Sequence, residues 1–197
     1  MSTTATATDR VKLPLTFDVA KMQAEAKAFD EQQFTYYKVI QLRGPAHLVD
    51  TSIPFPPPAE DYADGTWCDW LNTPEAERSP YLTSIIEFFQ QHTRVTLVRL
   101  LRLAPQSVVK EHTDPTLGLE IERSVIRLTI PIFTNEDVSF ILNNTEVPMQ
   151  LGECWYLRLY DPHRVINNGT TVRVNLTIDM EPNEWVRNMI AEAEAAA

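Results

Sequence analysis

Val172-Arg173-Val174-Asn175-Leu176-Thr177-Ile178 alternates apolar and polar residues without a break. Successive side chains of a β-strand point to opposite faces. Val172, Val174, Leu176 and Ile178 therefore share one face, and Arg173, Asn175 and Thr177 share the other. The stretch Val125-Ile126-Arg127-Leu128-Thr129-Ile130-Pro131 repeats the pattern, with Val125, Arg127 and Thr129 opposite Ile126, Leu128 and Ile130. Each strand thus carries an arginine on its more polar face. If the apolar faces pack on helices, the polar faces look either into a barrel or out to water, and the first option makes a polar cavity. A polar interior needs a ligand or internal partners to satisfy it.

Working outward, short runs of Val, Ile, Leu and Thr read as strands near 95–103, 107–112, 125–131, 137–142, 146–149, 153–159, 163–167 and 171–178. Turn residues separate many of them, among them Ala104-Pro105, Asp114-Pro115, Thr134-Asn135, Asn143-Asn144, Asp161-Pro162 and Asn168-Gly169. Strands at this spacing predict an antiparallel barrel or jelly roll. Before them, Asp18–Gln32 reads as a helix with Asp18 near its N-cap, and Phe34–Leu42 as a strand. Ile53–Asp69 reads as loop, because Pro54, Pro56, Pro57 and Pro58 remove donors and forbid helix. A second helix starts at Ser79, with Tyr81, Leu82, Ile85, Ile86, Phe88 and Phe89 as its apolar face. Asn183–Ala197 reads as a closing helix. The expected organisation is one mainly β (α+β) domain over 1–197. It comprises an N-terminal buttress (1–92), a barrel core (93–180) and a C-terminal helix (181–197).

Length and charge bound the function. The 197 residues, 44% of them hydrophobic, suffice for one domain with a sizeable core. The net charge of −10 speaks against nucleic acid and anionic membranes as partners. No apolar run reaches the length of a membrane span. Met1–Arg10 is Thr-rich and lacks the pattern of a signal peptide, and Cys68 and Cys154 stand alone, so a reduced cytoplasm is expected. The sequence leaves the oligomeric state open.

Four histidines are present. His47 and His92 have no suggestive neighbours. His112 stands in Lys110-Glu111-His112-Thr113-Asp114-Pro115, where His112 and Asp114 converge on one side of a strand end. His163 opens a strand in Asp161-Pro162-His163-Arg164-Val165. Two imidazoles and one carboxylate with open positions suit a non-haem Fe(II) oxygenase. Taken alone, His-x-Asp is a short and common pattern. Arg173, ten residues after His163, adds a planar two-pronged donor on the expected interior face, suited to a carboxylate such as the far end of 2-oxoglutarate. A structural ion pair with a buried acid is the alternative for Arg173.

The segments Arg99-Leu100-Leu101-Arg102-Leu103-Ala104-Pro105, His112-Thr113-Asp114, Arg127-Leu128-Thr129-Ile130-Pro131-Ile132, Gly152-Glu153-Cys154-Trp155-Tyr156-Leu157, Pro162-His163-Arg164-Val165-Ile166-Asn167-Asn168 and Arg173–Asp179 occur in this order. Together they resemble the aspartyl/asparaginyl β-hydroxylase family, in its bacterial proline-hydroxylase-like branch. The resemblance covers about residues 80–180 and implies a cupin-like double-stranded β-helix. It implies His112, Asp114 and His163 as catalytic iron ligands, and Arg173 as the partner of the C5 carboxylate of 2-oxoglutarate. It implies Arg127 as a holder of a co-substrate or substrate carboxylate. Asp114 stands where the animal members have Gly, and Thr129 and Asn175 stand where the family often has His. Asn175 and Trp155 are candidate substrate contacts, with a core role as the plainer reading of Trp155. Arg99 and Arg102 occupy opposite faces of one strand, and Arg102 is taken as the substrate candidate. The Pro115–Arg123 loop, with Glu120 and Glu122, is a candidate lid.

The activity so implied is Fe(II)-, 2-oxoglutarate- and O2-dependent hydroxylation of a small amino-acid-like substrate, with release of succinate and CO2. The rivals are a cupin-like metal enzyme that does not use 2-oxoglutarate and a non-catalytic barrel that binds a small ligand.

Overall fold

The computed structural model describes residues 8–30, 33–58 and 64–197. In chain order, β1 (Arg10–Thr16) leads to α1 (Val19–Ala26), which a short 3-10 turn (Lys27–Phe29) extends. Then come β2 (Tyr37–Pro45), α2 (Ala46–Val49), β3 (Trp70–Asn72), α3 (Pro74–Glu77) and α4 (Pro80–Gln90). The strands β4 (Val95–Leu103), β5 (Ser107–His112), β6 (Ile126–Phe133) and β7 (Val138–Leu142) follow. The chain ends with β8 (Thr145–Glu146), β9 (Glu153–Leu157), β10 (His163–Asn167), β11 (Arg173–Met180) and α5 (Glu184–Ala195).

The strands form two antiparallel sheets. The larger runs β1-β9-β6-β11-β4-β2-β3 and the smaller β5-β10-β7-β8. This is the jelly-roll arrangement that the strand spacing predicted. The alternation of β6 and β11 explains how it packs. Ile126, Leu128, Ile130, Leu176 and Ile178 lie in a cluster with Met22 of α1, Leu82, Ile86 and Phe89 of α4, and Val186 and Ile190 of α5. Burial of each such side chain contributes about 1.5–3 kcal/mol. A second cluster fills the space between the sheets, with Leu103, Phe140, Leu142, Trp155, Leu157 and Val165. The opposite, polar faces of β6 and β11 are thereby turned toward the smaller sheet.

Several expected boundaries shift. The helix read as 18–32 ends at Ala26 and tightens into the 3-10 turn, with Asp18 capping Lys21 N–H at 3.1 Å. Residues 31 and 32 lie outside the described residues, as do 59–63 within the expected loop. The strand expected at 146–149 is observed as β8, which pairs with Ile141 and Leu142, and one further bond, from Val147 N–H to Phe140 O at 2.8 Å, continues the contact beyond it. The strands β1 and β3 have no counterpart in the sequence reading. β1 covers the β9 edge and β3 the β2 edge. Among the described residues, no helix is long and apolar enough to cross a membrane.

Candidate active site

His112 ends β5 and His163 begins β10, and the antiparallel register sets them directly opposite each other. Their ring centroids lie 4.3 Å apart. Asp114 follows two residues after His112, where its backbone N–H donates to Leu159 O at 2.9 Å. One donor atom from each of the three side chains falls within 4.8 Å of the others. The histidines are already oriented. Nδ1 of His112 faces the carbonyl of Lys110 at 2.8 Å, and Nδ1 of His163 faces the carbonyl of Asp161 at 2.9 Å. A carbonyl only accepts, so each Nδ1 carries the proton and each Nε2 keeps its lone pair.

Burial pushes the His163 imidazole below its ordinary value of 6.5. The Asp161 carbonyl opposes this shift, and His112 adds to it. A depressed value keeps the ring neutral and able to ligate at lower pH. The sign for stability follows from linkage. The unfolded imidazole takes up a proton near its ordinary value while the folded one remains neutral. Stability of the metal-free protein is therefore full above about pH 6.5 and is lost as the pH falls from there toward the folded value. NMR titration of His163 in the metal-free protein should give a midpoint below 6.5.

The triad opens on a cavity of about 90 Å³ lined also by Tyr37, Leu101, Arg127, Thr129, Phe140, Arg173, Asn175 and Thr177. The polar faces of β6 and β11 therefore do line the interior. Arg173 is 5% exposed and sits over the Phe140 ring at 5.9 Å. Burial pushes its guanidinium down to about 10; Tyr37 opposes the shift, and no carboxylate does. With its amide oriented to suit its neighbours, Asn175 accepts from Arg173 and donates to Val174 O. Arg173 has no carboxylate partner among the described residues, so the structural ion pair weighed for it does not form.

Arg127 has different partners from those expected. Its Nε and Nη2 donate to the two oxygens of Asp179 at 2.6 and 2.8 Å, and its Nη1 donates to Asp114 Oδ2 at 3.1 Å. Burial opposes the charge, but Asp179 and then Asp114 more than compensate, and the proton is held more tightly than usual. A guanidinium committed in this way orients Asp114 and has no fork left for a ligand carboxylate. Arg127→Ala would strand Asp179, which is 4% exposed. The expected cost is about 3–5 kcal/mol in denaturant unfolding.

Arg102 is not brought to the triad. It lies on the helix-side face of β4, where Nη1 donates to Phe29 O and Nη2 to Asp30, both at 2.8 Å. Phe34 stacks on its guanidinium at 4.7 Å. A hollow of about 790 Å³ beside it is much larger than the triad cavity and contains none of the triad. Trp155 belongs to the cluster between the sheets, and its Nε1 donates to Glu153 at 2.9 Å. It does not line the triad cavity. The Pro115–Arg123 loop is pinned by Ser124 Oγ, which donates to Gly118 O at 2.6 Å. Tyr37 and Phe140, which line the triad cavity, and Asp179, which holds Arg127, were missed. Asp179 stands opposite Arg127 in the strand register, a relation visible only after strand pairing.

The family model for aspartyl/asparaginyl beta-hydroxylase matches residues 63–182. The chain belongs to the aspartyl/asparaginyl β-hydroxylase family. A relative, the L-proline cis-4-hydroxylase of Rhizobium meliloti (strain 1021), is 28% identical over 123 residues, which make up 60% of this chain and 43% of the relative. The chain thus spans less than half the length of the curated relative it matches. Among solved structures, a 2OG-Fe(II) oxygenase family oxidoreductase from Burkholderia pseudomallei aligns over 89% of this chain and 85% of its own, with TM-score 0.53 and 14% identity. The collagen prolyl hydroxylase of Paramecium bursaria Chlorella virus-1, solved with 2OG, aligns over 88% and 96%, with TM-score 0.55 and 8% identity. At these identities the likeness concerns the fold. This member of the β-hydroxylase family is a double-stranded β-helix, and the triad sits inside it.

Proposed function

We propose that this chain is an Fe(II)- and 2-oxoglutarate-dependent hydroxylase acting on an unactivated C–H bond of an amino acid or amino-acid-derived substrate. One observation carries the reading. A preoriented two-histidine, one-carboxylate donor set shares a cavity with a buried arginine that has no acid partner. A metal site that uses no dicarboxylate has no need for that arginine, which favours this reading over a cupin-like enzyme. The family membership and the named activity of the Rhizobium relative support it.

The donor set fits Fe(II): two neutral imidazoles and one carboxylate leave coordination positions open. Nε2 of His112, Nε2 of His163 and one oxygen of Asp114 would hold the ion. When bound, Fe(II) with 2-oxoglutarate and O2 supplies the oxidising power for hydroxylation, and the co-substrate leaves as succinate and CO2. The chain does the rest. Arg127 keeps Asp114 turned by occupying its Oδ2. Arg173, braced by Asn175, would receive the far carboxylate of 2-oxoglutarate. Leu101, Val109, Leu159 and Val165 exclude water from the walls.

Anaerobic titration of the metal-free protein with Fe(II) and 2-oxoglutarate tests this reading by visible absorption. A weak charge-transfer band that needs both components is expected. Iron binding without that band would favour a metal enzyme that does not use 2-oxoglutarate. Binding of neither would leave a ligand-binding barrel.

A further inference from the structure

We infer that the hollow on the helix side of β4 is a second ligand site, which takes a small organic acid with an apolar body. The inference does not depend on the hydroxylase reading, because the hollow shares no lining residue with the triad cavity.

The hollow measures about 790 Å³, within the size range of small-molecule pockets. It lies where β4 ends, where β11 begins and where the chain leaves the 3-10 turn. Arg102 and Val174 are paired residues of β4 and β11, and both line it. Their neighbours along the same strands, Leu101, Arg173 and Asn175, face the triad cavity instead. The two sites therefore stand back to back on one sheet, and a ligand in the hollow does not compete with one at the triad.

Two observations call for a ligand. The first is Arg102, which is 3% exposed and lines the hollow. A guanidinium offers five N–H donors. Nη1 spends one on Phe29 O and Nη2 one on Asp30. Nε is buried and has no acceptor among the described residues. A buried donor without an acceptor is costly and uncommon in a native fold. The missing partner is therefore an acceptor, and a carboxylate can take two guanidinium N–H groups at once. The second observation is Lys27, which lines the same hollow. Its Nζ lies 6.0 Å from the centre of the Phe133 ring and has no carboxylate partner among the described residues. Arg102 and Lys27 face one aspartate, Asp30, so this corner keeps a surplus positive charge in a chain whose net charge is −10. One surplus charge suits a monocarboxylate and not a phosphate dianion. The remaining walls describe the rest of the ligand. Phe34, Phe133 and Val172 are apolar, and Phe34 lies on the Arg102 guanidinium at 4.7 Å, so the apolar wall starts directly beside the charge.

The test is ligand-observed NMR on the full chain, with benzoate as the probe and benzamide as its uncharged counterpart. Benzoate should bind. Benzamide should bind about 10- to 150-fold more weakly, the loss of one charge-assisted hydrogen bond. Benzoate binding should be the same in Arg173→Met and in the presence of 2-oxoglutarate, because Arg173 faces the triad cavity. Arg102→Met should lose as much affinity as the amide does. Arg102 also ties down the 3-10 turn, so a second variant leaves it in place. Thr170 is exposed on the rim, and Thr170→Trp should fill the hollow and abolish binding while circular dichroism stays unchanged. The inference is overturned if benzoate shows no binding at about 10 mM, a concentration that would fill a millimolar site. It is overturned if benzamide binds as well as benzoate, or if Thr170→Trp leaves binding intact. Loss of binding in Arg173→Met or with 2-oxoglutarate would put the probe in the triad cavity and overturn it too. Tighter binding of acetyl-Asp-Phe-amide, whose carboxylate is an aspartyl side chain, would make the hollow a reader of protein side chains and overturn the small-acid assignment. None of these readouts uses the Fe(II)/2-oxoglutarate band, so the hydroxylase reading stands or falls separately.

Discussion

His112→Ala is expected to abolish hydroxylation, by at least about 1000-fold, while leaving the fold intact. The two effects separate because of where His112 stands. It is the last residue of β5 and its side chain is exposed, so truncation opens no cavity in either apolar cluster. His163 is 4% exposed and stacks in parallel with Phe140 at 6.0 Å, so its removal would disturb packing as well as chemistry. In His112→Ala only two donors remain. Asp114 stays tied to Arg127 and His163 stays tied to the Asp161 carbonyl. Two donors do not define a facial site, and metal affinity should fall steeply. Circular dichroism should match the wild type, and anaerobic titration with Fe(II) should show neither tight binding nor the 2-oxoglutarate band. Retention of tight Fe(II) binding by this variant would sink the assignment of His112 as a ligand.

The barrel was legible in the sequence where one face of a strand differs in chemistry from the other. β6 and β11 alternate apolar with polar, so their inner faces were readable before any pairing was known, and Arg173, Asn175 and Thr129 were expected inside. β4 is different. Val95-Thr96-Leu97-Val98-Arg99-Leu100-Leu101-Arg102-Leu103 is apolar on both faces with one arginine on each. Both faces are covered, by helices on one side and by the smaller sheet on the other, so hydrophobicity cannot say which arginine points inward. Only the register, Arg99 opposite Thr177, decides it. The commitment of Arg127 was hidden for a related reason. Asp179 lies at the end of the alternating run, and its role follows from cross-strand pairing. His112 and His163 are 51 residues apart in sequence and paired residues in the sheet. The sequence offered them as ligand types at strand ends, and pairing made them neighbours.

Arg173→Met should raise the 2-oxoglutarate requirement by about 100-fold or more and, in the same protein, make the ligand-free state more stable. The first effect follows from losing a buried, two-pronged partner for a carboxylate, for which about 2–5 kcal/mol is typical. The second follows from what Arg173 lacks. Its guanidinium is buried, burial has pushed it down to about 10, and its bracing partner is the neutral Asn175. A buried charge without a counter-charge opposes folding. Met is unbranched and of similar reach, and can lie over Phe140 without a charge to desolvate. Replacing buried ionic groups by well-packed apolar ones is neutral or stabilising by about 1–4 kcal/mol. In thermal unfolding without ligands, Arg173→Met should therefore melt at or above the wild type. Adding metal and 2-oxoglutarate should raise the wild-type midpoint by mass action and leave the variant nearly unmoved, so that the order of the two proteins reverses. If Arg173 were instead a structural residue, the variant would melt lower under both conditions, and its 2-oxoglutarate dependence would change no more than its stability. The crossing of the two melting curves separates a site held ready for a dicarboxylate from an arginine that holds the barrel together.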